Sequence, residues 1–175
     1  MARLGIALEM GVVITQTLTA LWFFRLFRSV DDFAAGATAV FGLVNAIAVL
    51  GSAAFLTTAL QVALVPTGPD AVTTQLMYVI SANFWQVGNI FFGLWLIPMG
   101  LCVLRSGWMP RTLGWILVVG GPGYVLNAFV GALAGVAGAA DAGVISMLLV
   151  LPASIGEFWM IGYLLVKGVD RAAQR

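Results

Sequence analysis

Five runs of about twenty or more apolar residues, joined by short polar connections, fill nearly the whole chain. A helix rises 1.5 Å per residue, so about 20 residues cross the hydrocarbon layer of a bilayer. Within lipid, each backbone N–H and C=O needs an internal partner, which a helix supplies by itself. The sequence therefore predicts an all-α fold, a polytopic transmembrane helix bundle forming a single domain over residues 1–175. Its spans are expected near residues 6–27, 33–64, 83–105, 111–134 and 143–167. Only 9% of residues are charged, against about 25% in an average soluble domain.

Pro66, Gly68 and Pro69 break the chain after the second span. The stretch 71–105 is too long for one upright helix. Asp70 reads as a cap, 71–81 as an interfacial or protruding helical portion, and 83–105 as the membrane crossing. The connections 29–32 and 106–110 are short, so neighbouring helices are expected to pair as antiparallel hairpins.

With five alternating helices, Arg25, Arg28, Arg105, Arg111, Lys167, Arg171 and Arg175 fall on one side, and Arg3 on the other with Asp70 and Asp141. The positive-inside rule makes the basic side cytoplasmic, so the N-terminus is expected outside and the C-terminus inside, in a multi-pass protein of the plasma membrane. Trp22, Trp108 and Tyr163 lie towards the basic interface, and Tyr78 and Trp85 towards the other, as aromatic belts do. Arg3 ahead of an apolar run has the outline of a secretory signal, but Glu9 interrupts the run and no small-residue cleavage site follows.

Glu157 lies inside the apolar run 144–166. A carboxylate there costs roughly 2.5 to 3.5 kcal/mol on insertion scales, so it is expected to be neutral, paired or hydrogen-bonded, and it marks the prime functional position. It stands 10 residues before Lys167, about 15 Å deep. Glu9, Asn89 and Asn127 each stand 16 residues from the nearest basic end, about 24 Å deep, and Asn45 comes to about 20 Å. With Gln86 these six side chains form the expected polar pocket, centred on the third, fourth and fifth spans. Spacing suggests shared faces: Glu9 with Gln16; Thr38, Asn45 and Ser52; Asn83, Gln86 and Asn89; Gly120, Gly123, Asn127, Gly131 and Gly135. The competing reading is structural, because polar side chains commonly bond across membrane helices and glycines let them approach. Glu9, nearer an interface, fits that reading best.

Pro98, Pro122 and Pro152 each remove a backbone donor and free a carbonyl one turn earlier, at Leu94, Val118 and Leu148. Ordinary kinks account for them, since proline and glycine are frequent in membrane helices. The chain has no histidine, which removes Ser–His catalysis, histidine-bound zinc and histidine-ligated haem. The lone Cys102 sits in an apolar stretch and reads as a small core hydrophobe. No glycine-rich phosphate cradle carries a lysine. A net charge of +1 gives no pointer to nucleic acid. We therefore expect neither an enzyme nor a metal or cofactor site.

The segments Phe91-Phe92-Gly93-Leu94-Trp95-Leu96-Ile97-Pro98 and Arg105-Ser106-Gly107-Trp108-Met109-Pro110-Arg111-Thr112-Leu113-Gly114 resemble a bacterial family, the domain of unknown function numbered 4386. So do Phe24-Arg25-Leu26-Phe27-Arg28, Gly123-Tyr124, and Leu151-Pro152-Ala153-Ser154-Ile155-Gly156-Glu157-Phe158-Trp159 with the trailing Leu164-Leu165-Val166-Lys167-Gly168. The resemblance covers nearly the whole chain. It implies a small multi-helix membrane protein, usually with a further helix before the first one here, and it implies no activity.

Two functions compete on this reading. One is a membrane protein that holds a small molecule, lipid or proton in the polar pocket. The other is a structural or accessory protein whose glycine face, Gly120 to Gly135, packs against partner membrane helices.

Overall fold

The computed structural model describes the backbone of residues 2–64, 70–137 and 139–169, and the side chains of these except 134–137 and 139–142. Pro66, Gly68, Pro69, Arg171 and Arg175, and the side chains of Gly135 and Asp141, thus lie outside the described residues. Among the described residues the fold has five helices: α1 Ala2–Phe27, α2 Asp32–Ala63, α3 Ala71–Ser106, α4 Arg111–Ala137 and α5 Ala139–Lys167. All five are long and apolar enough to cross a membrane. Large apolar side chains such as Leu18, Ile47, Val119 and Leu165 face outward, a surface suited to lipid rather than water.

Local chemistry sets the helix ends. The Asp31 carboxylate accepts from the Ala34 amide at 2.9 Å and opens α2. Asp70 accepts from the amides of Val72 and Thr73, both at 3.1 Å, and opens α3. These bonds satisfy donors that the first helical turn leaves without partners. Gly107 closes α3 with φ of 75°, a left-handed conformation that only glycine adopts without a Cβ penalty. The Leu113 amide then reaches the Pro110 carbonyl at 3.0 Å as α4 begins.

α3 is one continuous helix of 36 residues, so the portion expected to be interfacial is its first third. Its length is about 54 Å, well beyond a hydrocarbon layer of about 30 Å, so α3 tilts or its Asp70 end stands clear of the layer. Pro98, Pro122 and Pro152 lie inside uninterrupted helices.

Each helix packs antiparallel on the next in the chain. Gly51 meets Phe84 and Gly42 meets Trp95 between α2 and α3. Gly93 meets Gly121, and Gly100 meets Gly114, between α3 and α4. Gly120 lies on Ala153 and Gly123 on the Leu149 carbonyl between α4 and α5. The expected glycine face is therefore divided: Gly120 and Gly123 serve α5, whereas Gly131 sits under the Gln86 amide of α3. Gly120 and Gly123 are thus buried inside the bundle, whereas Gly131 is exposed.

The apolar core gathers towards one end, around Phe27, Leu96, Cys102, Val103, Leu113 and Leu117. That end is tied by the Asp31–Arg105 ion pair and by the Tyr163 hydroxyl, which donates to the Trp108 carbonyl at 2.8 Å. It carries Arg25, Arg28, Arg105, Arg111 and Lys167, as the alternation of five helices requires. α1 lies mainly on α2 and reaches α3 only through side chains such as Glu9 and Phe23. This leaves a groove over α3, with α1 on one side and α5 on the other.

Candidate functional site: a groove between the first, third and last helices

The six expected pocket residues occupy five separate places. Glu9 accepts from the Trp85 indole at 2.8 Å and from the Ser52 hydroxyl at 3.2 Å, and Ser52 in turn bonds Ser81 at 2.8 Å. This knot joins α1, α2 and α3 towards the Arg3 end. Asn45 is buried on α2 with Thr38 and Ser52, as their spacing of seven predicts, and its Oδ1 lies beside Gly88. The Gln86 amide donates to the backbone carbonyls of Asn127 and Ala128 at 3.3 and 3.4 Å, bridging α3 to α4. Asn89 is half-buried on α3 and does not line the groove. A step of three residues turns a helix by about 300°. Asn83, Gln86 and Asn89 therefore fan out: Asn83 lines a hollow on the α2 side while Gln86 points to α4.

Glu157 stands apart from all of these. Gly156 lies against Leu117 and Ile116, where a Cβ would come within 2.9 Å of the Leu117 side chain. That close seat of α5 on α4 fixes which way the next residue points. Glu157 turns to the groove and faces the Tyr124 hydroxyl of α4, which also reaches Ser154. Its polar neighbour is thus a phenol that was not among the six expected residues.

The groove has a volume of about 450 Å³. Gln16 and Thr19 line it from α1, Phe92 and Trp95 from α3, and Glu157 and Ile161 from α5, among others. Two of its polar atoms, Gln16 Nε2 and Trp95 Nε1, are buried with no hydrogen-bond partner among the described residues. A buried donor left unmade costs about 1–3 kcal/mol. The Trp95 ring cannot turn away easily. It lies over Gly42, edge-on to Phe23 at 6.1 Å, with Phe92 at 5.9 Å. The arrangement brings two side chains with unpartnered N–H donors, one of them held by its ring packing, and a carboxyl to the wall of one apolar space of small-molecule size.

Sequence spacing places Gln16 on the face of Glu9, about 20° short of two full turns; Glu9 meets Trp85 of α3, and Gln16 lines the groove over α3. The missed members are Trp95, Thr19 and Tyr124. Trp95 and Tyr124 fell within motifs noted above, yet an indole or phenol in an apolar span carries no mark of whether its polar atom has a partner. Among the described residues, no group of three His, Cys, Asp or Glu side chains could hold a metal ion.

One family model, Domain of unknown function (DUF4386), matches residues 1–168. The chain belongs to this family. That membership agrees with the motif resemblance and carries no activity with it. A stretch of 42 residues is 39% identical to an uncharacterized protein of Archaeoglobus fulgidus, covering 24% of this chain and 26% of that protein. The match therefore spans about a quarter of that relative's length. No solved structure matches the chain. For this DUF4386 member the groove geometry is thus the main guide to function.

Proposed function

We propose that this membrane protein holds a small lipophilic molecule in the groove between α1, α3 and α5, with Glu157 as its polar anchor. The observation that carries the reading is the pair of buried, unpartnered donors, Gln16 Nε2 and Trp95 Nε1, on side chains that line the same cavity as Glu157. A ligand with carbonyl or ether oxygens satisfies the two donors. A hydroxyl, amine or exchangeable proton on it suits the carboxyl. The Phe92 and Trp95 rings and the apolar α5 side chains cover its hydrocarbon part. The cavity volume falls in the range typical of small-molecule sites.

We read the site as binding rather than catalytic, because the groove offers one acidic group and the chain has no histidine to act with it. The gathering of basic residues at one end supports an N-terminus outside and a C-terminus in the cytoplasm, in a plasma membrane. The accessory reading loses its main support, since Gly120 and Gly123 are already covered by α5.

Native mass spectrometry of protein released gently from detergent tests the proposal. Wild type is expected to carry a defined adduct that Glu157→Gln and Gln16→Leu each lose, while both variants keep the wild-type helical content. Equal adducts on all three proteins, or none on any, would sink the idea.

A further inference from the structure

A second cavity, of about 440 Å³, opens at the basic end of α1 and is lined by Trp22, Arg25, Leu26, Arg28 and Ser29. Arg25 and Arg28 are three residues apart, and the helical hydrogen bonding continues past the end of α1, with the Arg28 amide bonded to the Phe24 carbonyl at 2.9 Å. The two guanidinium groups therefore share one face, where like charges repel. Of the two neighbouring carboxylates, Asp31 holds Arg105 and caps α2, and Asp32 is exposed in the first turn of α2. Among the described residues the Asp31–Arg105 contact is the only ion pair, and neither Arg25 nor Arg28 has a carboxylate partner among them. Trp22 lies one turn deeper and lines both this cavity and the groove. A tryptophan at that level sits where the glycerol and ester region of a lipid would lie.

We propose that this cavity is a headgroup site for an anionic phospholipid, its phosphate held between Arg25 and Arg28 and its glycerol region packed on Trp22. Guanidinium forks match phosphate oxygens in pairs. Basic hollows between membrane helices bind lipid headgroups by the same chemistry. The site is independent of the groove ligand and stands whether or not Glu157 holds one.

The test uses the full chain in mixed phosphatidylcholine–phosphatidylglycerol nanodiscs, with retained lipid read by native mass spectrometry. Wild type is expected to retain phosphatidylglycerol in preference. The Arg25→Gln/Arg28→Gln double variant should lose that preference roughly thirtyfold, the effect of removing two juxtamembrane charges. Arg25→Lys/Arg28→Lys should lose only part of it, and Arg111→Gln, at the same end, should keep it. The proposal is overturned if the double glutamine variant keeps the preference, or if Arg111→Gln loses as much. Displacement of the lipid by inorganic phosphate would also overturn it, by making this a free-anion site.

Discussion

The Arg105 guanidinium closes on the same Asp31 carboxylate whose other oxygen caps α2. One side chain thus joins the C-terminal end of α3 to the first turn of α2. The two halves of this contact differ in worth. Arg105 is 59% exposed and Asp31 14%, and pairs with an exposed partner contribute about 0–1 kcal/mol. An N-cap contributes typically about 1 kcal/mol. Arg105→Gln should lower stability slightly, Asp31→Ala clearly more, and Asp31→Asn only about as much as Arg105→Gln, because the amide oxygen still caps. Thermal unfolding in detergent separates the three; equal loss in both Asp31 variants would remove the cap from the explanation.

Gly93→Ala should be among the more damaging single-methyl additions in the chain. Its Cβ would strike the Gly121 carbonyl oxygen and come within 2.8 Å of the Val125 side chain. Backbone cannot rotate away, so α3 and α4 must part, at a cost of about 1–3 kcal/mol for such overpacking. Gly162→Ala is the control, because its Cβ meets nothing within 4 Å. It should be neutral or mildly stabilising. Melting temperatures of the pair check both expectations.

Glu9→Leu should loosen α1 from the bundle. The substitution removes two accepted bonds, from Trp85 and Ser52. Bonds between membrane helices average about 0.6 kcal/mol, so the loss should come to roughly 1–2 kcal/mol. In a background with the other tryptophans replaced by phenylalanine, Trp85 emission should shift on Glu9→Leu and stay put on Ser52→Ala. An unmoved spectrum in Glu9→Leu would mean that the indole is not bonded there.

Asp70 sets a pH dependence outside the hydrocarbon layer. The Thr73 hydroxyl and amide, with the Val72 amide, hold its carboxyl below the ordinary value of 3.8. The folded value is lower than the unfolded one, so the capping contribution is complete above 3.8 and disappears as pH falls through the folded value. The amide resonances of Val72 and Thr73 should therefore shift only below that point. Asp70→Asn should abolish the shift while keeping the helix start. A titration of these amides centred above 3.8 would contradict the cap.

The helices were legible because lipid imposes length and apolarity on each of them, and because Asp31, Asp70 and Gly107 mark their boundaries in plain chemical terms. The basic end was legible for a similar reason: charges cannot lie along a span, so the arginines report the turns. Glu157 stood out as a carboxyl in an apolar run, and the structure does give it a cavity. Its companions could not be read the same way. Depth along a helix follows from counting residues, but azimuth does not follow as surely, so Glu9 and Asn89, at equal depths, end in different surroundings. Gln16, set beside Glu9 by a spacing of seven, lines the groove while Glu9 does not. Trp95 shows the deeper limit, since only the packing of Gly42, Phe23 and Phe92 around its ring reveals that its N–H lacks a partner.

Every large interface in this bundle joins helices adjacent in the chain. Such a protein can complete each contact as the next hairpin enters the membrane, with no long-lived wait for a distant partner. The groove is the exception, because α1 supplies Gln16 and α5, four helices later, supplies Glu157. Whatever occupies that groove would meet it only once both helices are in place, so occupancy would report that these five helices have been assembled.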